Sequence, residues 1–125
     1  GILFQLGLLY YQQQRYAEAV QILGRATNIN QNYSNARYFL GLSYAAEGER
    51  DSAIEQFERI RELNPGNAEI AAILANLKAG RDALYGITPP PLDRGEVPVS
   101  KEGEEFSEQK SLQEDASMED EQSTE

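Results

Sequence analysis

The residues with the strongest claim to chemistry lie between positions 47 and 62. There Glu47, Glu49, Asp51, Glu55 and Glu58 alternate with Arg50, Arg59 and Arg61. Two of these carboxylates could work as general acid and base only if burial shifted their pKa values. Their spacing argues for something simpler. Glu55 stands four residues before Arg59, and Glu58 and Glu62 flank Arg61, which is the pattern of a solvated helix face with intrahelical ion pairs. The chain has no Cys and no His. That removes thiol nucleophiles, imidazole bases, disulfides and the zinc sites built on those ligands. No catalytic residue, metal or cofactor is expected, and no small-molecule substrate. Asn32-Tyr33-Ser34 fits the N-glycosylation pattern, a match that arises often by accident.

Charge narrows the partners. The 125 residues carry 21 acids and 11 bases, a formal charge of −10. Residues 86–125 hold 12 of those acids and 3 of the bases, with four of the five prolines and one of the eleven aromatics. The chain therefore divides into a near-neutral, aromatic-rich part that can bury a core and an acidic tail that cannot. Nucleic acid is not an expected partner, because such a chain repels phosphates. The longest apolar stretch, Ile2 to Tyr11, is interrupted by Gln5 and is too short to span a bilayer.

The elements that must position any site follow from an internal repeat. Leu6 and Leu40, Gly7 and Gly41, Tyr10 and Tyr44, Ala19 and Ala53, and Asn30 and Asn64 all lie 34 residues apart, and Leu23 matches Phe57 by type. Within a unit the apolar residues recur at helical spacing, as Leu3, Leu6 and Tyr10, then Ala19, Ile22, Leu23 and Ala26. A 34-residue unit of two helices is a helix–turn–helix repeat. Helices are expected at about 2–13, 16–28, 34–46, 51–63 and 68–84. Ser34 and Asn67 are the expected N-caps, and Gly48 a C-terminal stop. Glycine at positions 7 and 41, facing Ala19 and Ala53, lets the paired helices approach closely. Tyr10, Leu23, Tyr44 and Phe57 fill the space beside them.

These positions resemble the tetratricopeptide repeat. The first unit carries Leu3, Leu6-Gly7, Tyr10, Ala19, Leu23 and Ala26, and the second carries Leu40-Gly41, Tyr44, Ala53, Phe57 and Pro65. The likeness covers about residues 1–84. Gln31 replaces the closing proline of unit one, Arg37 stands where the family favours Trp, and Ile60 where it favours Ala. The resemblance implies an all-α fold, an α-solenoid of antiparallel helix pairs. Its units are 1–33 and 34–67, with a C-terminal capping helix at 68–85 and a disordered Pro/Glu/Ser-rich acidic tail at 86–125. It also implies a concave groove lined by the first helix of each pair, formed by Phe4, Leu8, Tyr11, Gln12, Asn35, Tyr38, Leu42 and Asn76. Such a groove is apolar and aromatic and would bind a peptide or a partner helix. The carboxylate clamp by which some members hold chaperone C-termini has no counterpart, since Phe4, Leu8, Tyr38, Phe39 and Leu42 occupy its positions.

The expected function is a non-enzymatic protein-interaction scaffold. The rival is an accessory assembly module at the C-terminal end of a larger protein, such as a multi-pass bacterial membrane protein of the glycosyltransferase or polymerase kind. A bacterial source and a cytoplasmic or membrane-tethered location belong to these expectations. The apolar surface of the first helix, Ile2, Phe4, Leu8 and Leu9, suggests that more repeats or another domain precede Gly1, or that the chain self-associates there. Repeat arrays usually need about three units for stability, so two and a half are expected to be marginal. The acidic tail is expected to serve solubility, the alternative being an acidic arm that shields the groove or docks on a basic partner.

Overall fold

Small and large side chains at matched heights determine how the helices pair. In the computed structural model, which describes residues 1–87, the order is α1 (Ile2–Gln12), α2 (Tyr16–Ile29), α3 (Ser34–Ala46), α4 (Arg50–Leu63) and α5 (Ala68–Lys78). Each helix packs on the next in the chain, and α1 also touches α3. A Cβ added at Gly7 would stand 2.5 Å from Leu23 Cγ, and one at Gly41 would stand 2.5 Å from Phe57 Cε2. Leu23 and Phe57 are wholly buried, as are Ala19 and Ala53. The glycines are therefore the notches into which the partner helices' large side chains fit. Ile60, in place of the usual small residue, is accommodated with no exposed surface.

The helices α1, α3 and α5 end in the same way. Gln14, Gly48 and Gly80 adopt positive φ values of 61°, 80° and 81°. In each case the following amide reaches back to the helix: Arg15 N–H donates to Tyr10 O at 2.9 Å, Glu49 N–H to Tyr44 O at 2.9 Å, and Arg81 N–H to Asn76 O at 2.9 Å. The left-handed residue donates its own amide to Tyr11 O, Ala45 O and Leu77 O respectively. This is the Schellman termination, which satisfies carbonyls the helix leaves open. Glycine suits it, and Gln14 adopts it at a steric cost.

Two local expectations are corrected. Ser34 is not an N-cap: Tyr33 holds that position without a side-chain cap bond, and Ser34 is the first helical residue, buried. Tyr33 is itself 2% exposed and its ring lies 5.5 Å from Phe4, so burial of the aromatic, not a hydroxyl cap, sets where α3 begins. Asn67, by contrast, caps α5 by accepting from Ile70 N–H at 3.1 Å. The fifth helix stops at Lys78, six residues before the expected 84, because Gly80 enters the left-handed region and reverses the chain. Residues 81–87 then form turns that pack Ala83, Leu84 and Ile87 against the core. Ile87, assigned above to the tail, is part of that packing. The remaining assignment of an acidic tail falls on residues 88–125, outside the described residues.

Candidate functional site

The first helices were expected to carry the groove, and the structure divides its eight residues. Leu8, Tyr11 and Asn35 are half-buried and Gln12 is exposed. Phe4, Tyr38, Leu42 and Asn76 are buried. For Phe4 and Tyr38 the reason is ring size. Phe4 reaches past α1 to stack near Tyr33 and Phe39, at 5.5 and 6.1 Å between centroids. Tyr38, with no exposed surface, lies 5.1 Å from the Phe39 ring and 5.7 Å from that of Phe57. Its hydroxyl donates to the Glu69 carboxylate of α5 at 2.9 Å. Tyr38 therefore ties α3 to α5 and α4, and replacing it would damage the fold as well as any surface.

The aromatic cluster continues to the surface. Phe39, almost wholly buried, meets Tyr11 edge-on at 5.3 Å, and Tyr11 in turn meets Tyr16 at 5.8 Å. Burial, with a smaller contribution from the charge of Tyr16, pushes the Tyr11 hydroxyl up to about 12. At any ordinary pH it is therefore a neutral phenol. Tyr11 and Tyr16 also form one wall of a cavity of about 210 Å³. Leu42, Ala45 and Ala46 of α3 form the floor, and Arg50, Leu77 and residues 81–84 form the far side. The structure thus brings Tyr11 and Leu42 together, while Phe4, Leu8, Gln12, Asn35 and Tyr38 lie outside this cavity. Its size is below the roughly 300–1,000 Å³ of small-molecule sites and is suited to a side chain or two.

Three residues not expected in the groove hold the far wall. Arg50, at the start of α4, donates to Leu77 O at 3.3 Å and Arg81 O at 3.1 Å. A guanidinium on Leu77 O, in the last turn of α5, is favourable by charge as well as hydrogen bonding. Arg81 donates to Asn76 Oδ1 at 3.2 Å and lies 5.5 Å above the Tyr85 ring. Ala83 is buried against the face. Asn76, chosen as a polar groove residue, has its carboxamide committed: Nδ2 donates to Ala83 O and to Tyr85 O, both at 2.9 Å. The signal that could have revealed this wall is Gly80, two residues short of the 34-residue register set by Gly48. Asn35 keeps a buried Oδ1 without a hydrogen-bond partner among the described residues.

The acid-rich stretch is a surface feature. Arg15 pairs with Glu18 at 2.7 Å, Arg59 with Glu62 at 3.0 Å, and Glu58 with both Arg61 and Lys78. The expected Glu55–Arg59 pair gives way to Glu62 and to Asn32 Oδ1, to which Arg59 donates at 3.1 Å. The Glu58 carboxyl is held below the ordinary carboxylate range chiefly by the Lys78 hydrogen bond. A carboxyl lowered in this way is the opposite of the raised acid that buried acid–base catalysis needs. Among the described residues no cluster of His, Cys, Asp or Glu could hold a metal ion. No helix among them is long and apolar enough to cross a membrane.

Helix pairs nested at glycine, repeated at a fixed period and stacked in chain order, define a helical repeat protein. A family model described as tetratricopeptide repeat matches residues 3–77, and the chain belongs to that family. Tetratricopeptide repeats are in general non-enzymatic protein-interaction repeats. Among similar proteins, human E3 SUMO-protein ligase RanBP2 is 31% identical over 83 residues, covering 66% of this chain and 3% of that protein. Anaphase-promoting complex subunit 6 of Arabidopsis thaliana is 38% identical over 63 residues, covering 50% of this chain and 12% of that one. Human RANBP2-like and GRIP domain-containing protein 8 is 30% identical over 83 residues, 5% of its length. The chain thus spans only a small part of the relatives it matches.

Proposed function

We propose that the face formed by α1, α3 and the chain after α5 holds an extended peptide or a partner helix, making the protein a non-enzymatic interaction scaffold. The observation that carries this reading is the cavity between Tyr11 and Tyr16 on one side and Leu42 and Ala45 on the other. Its position follows from the repeat, since α1 and α3 contribute equivalent residues 34 apart, Tyr11 and Ala45. Tyr11, Tyr16, Leu42 and Leu84 supply the anchor for a partner side chain beside the charged Arg50, Arg81 and Asp82, and the exposed Gln12 and half-buried Asn35 supply polar contacts that orient its backbone. One relative is by its name a subunit of a multi-protein complex, which agrees with an assembly role.

The test is affinity capture with the full chain and two variants. Ala45→Arg fills the cavity from its floor, and Gln21→Arg places the same side chain on the exposed surface of α2. Circular dichroism first establishes that both remain helical. Partners captured by the wild type and by Gln21→Arg, and lost with Ala45→Arg, support the reading. Equal capture by both variants overturns it.

A further inference from the structure

The cavity is walled on one side by the chain's own continuation, and the manner of attachment is that of a bound peptide. Asn76 Nδ2 donates to two backbone carbonyls two residues apart, Ala83 O and Tyr85 O, both at 2.9 Å. Asn76 is 5% exposed and its bond to Ala83 O is buried, so losing that bond leaves a buried donor unsatisfied. Ala83 is buried and Leu84 and Ile87 pack on the core, while Tyr85 between them remains 65% exposed. Apolar side chains on the face, main-chain carbonyls on a carboxamide and the intervening side chain in solvent are the features by which a groove holds a peptide segment. The segment lies outside any helix. Its internal bonds are two turns, Tyr85 N–H to Asp82 O and Ile87 N–H to Leu84 O, each 3.0 Å, and it lacks the continuous ladder of a helix.

We infer that residues Ala83–Ile87 are a built-in occupant of the peptide-holding face, which a partner peptide must displace to extend from the cavity to Asn76. The inference rests on the reading of that face given above and adds its regulation. The displacing partner is a peptide segment with a small residue where Ala83 sits and an aliphatic residue where Leu84 sits, presenting its carbonyls to Asn76. Tethering gives the occupant an effective concentration in the millimolar range for a short linker. The apparent affinity for a partner is reduced in proportion to the fraction of molecules in which the face is open.

The probe is a labelled synthetic peptide with the sequence of residues 81–88, titrated into the full chain and into the full chain carrying Leu84→Asp, which unseats the occupant. The expected result is binding at least about tenfold tighter to the Leu84→Asp chain than to the wild type, abolished when Asn76→Ala is added. Equal binding to both chains, or binding to neither, overturns the inference. Amide hydrogen exchange on the unaltered chain provides a measurement free of variants. The Tyr85 and Ile87 amides should exchange at least about tenfold faster than those of Leu74 and Leu77, by local opening. Exchange at the same rate as α5 shows a permanent part of the fold and overturns the inference. Loss of capture with Ala45→Arg alongside a permanently closed segment would leave the proposed function standing and remove only its regulation. Unaltered capture with Ala45→Arg would remove the function itself.

Discussion

Adding one methyl group at Gly41 tests the packing on which the repeat depends. A Cβ there would stand 2.5 Å from Phe57 Cε2, 2.9 Å from Cζ and 3.0 Å from Cδ2, against an unstrained carbon–carbon separation of about 3.5–4.0 Å. The Phe57 ring cannot retreat freely, because it is wholly buried and meets the Tyr38 ring at 5.7 Å. Either the ring or helix α4 must shift by about 1 Å, and overpacking of this kind costs about 1–3 kcal/mol. Gly24 is the control. It lies within α2, and a Cβ built on it meets nothing within 4 Å. There Gly→Ala gains about 1 kcal/mol from helix propensity alone. Both variants receive that gain and only Gly41→Ala pays the steric cost, so Gly41→Ala should be less stable than Gly24→Ala by about 1–3 kcal/mol. Urea unfolding followed by circular dichroism measures the difference. In thermal unfolding, each kcal/mol corresponds to about 4–8 °C for a domain of this size. The double variant Gly41→Ala/Phe57→Leu should recover part of the loss. Equal stability of the two alanine variants would refute the nesting of α3 and α4 at this residue.

Three further outcomes follow from local geometry. Gln14→Gly should stabilise the chain by about 1 kcal/mol in the same urea assay, because Gln14 holds a φ of 61° that glycine adopts without a Cβ clash. Asn67→Ala should cost about 1 kcal/mol by removing the acceptor for Ile70 N–H, whereas Ser34→Ala, which removes no cap bond, should cost clearly less. Glu58 has a folded pKa below its unfolded one, so its pairing with Lys78 and Arg61 contributes above the ordinary carboxylate range and is lost as pH falls through the folded pKa. Glu58→Gln should therefore destabilise the protein at neutral pH and converge with the wild type in acid, as measured by urea midpoints across pH.

Much of the fold was legible because the repeat writes the same requirement twice. Gly7 and Gly41 stand opposite Leu23 and Phe57, and no other residue type leaves room for those side chains. Gly48 and Asn67 were readable for a similar reason, since a left-handed terminus and a side-chain cap each favour few residue types. The candidate site was less legible. Register alone places Tyr38 and Phe4 on the face of the first helices, yet their rings are long enough to reach the interfaces between helices, where Phe39 and Phe57 receive them. Register also carries α5 on to residue 84, whereas Gly80 reverses the chain and returns it across Asn76. A polar residue that looks free to bind a partner from its position in a repeat can thus be engaged by a segment of its own chain. Periodicity describes how helices stack and says little about the stretch that closes the stack.

The most direct measurement is amide and side-chain chemical-shift mapping of the full, isotope-labelled chain on addition of a partner recovered by affinity capture. The account predicts that perturbations concentrate on Leu8, Tyr11, Gln12, Asn35 and Ala45 and on the residues from Asn76 to Ile87, with the exposed surfaces of α2 and α4 unchanged. Perturbations confined to Gln21, Arg25, Glu55 and Glu62, on those second helices, would contradict it.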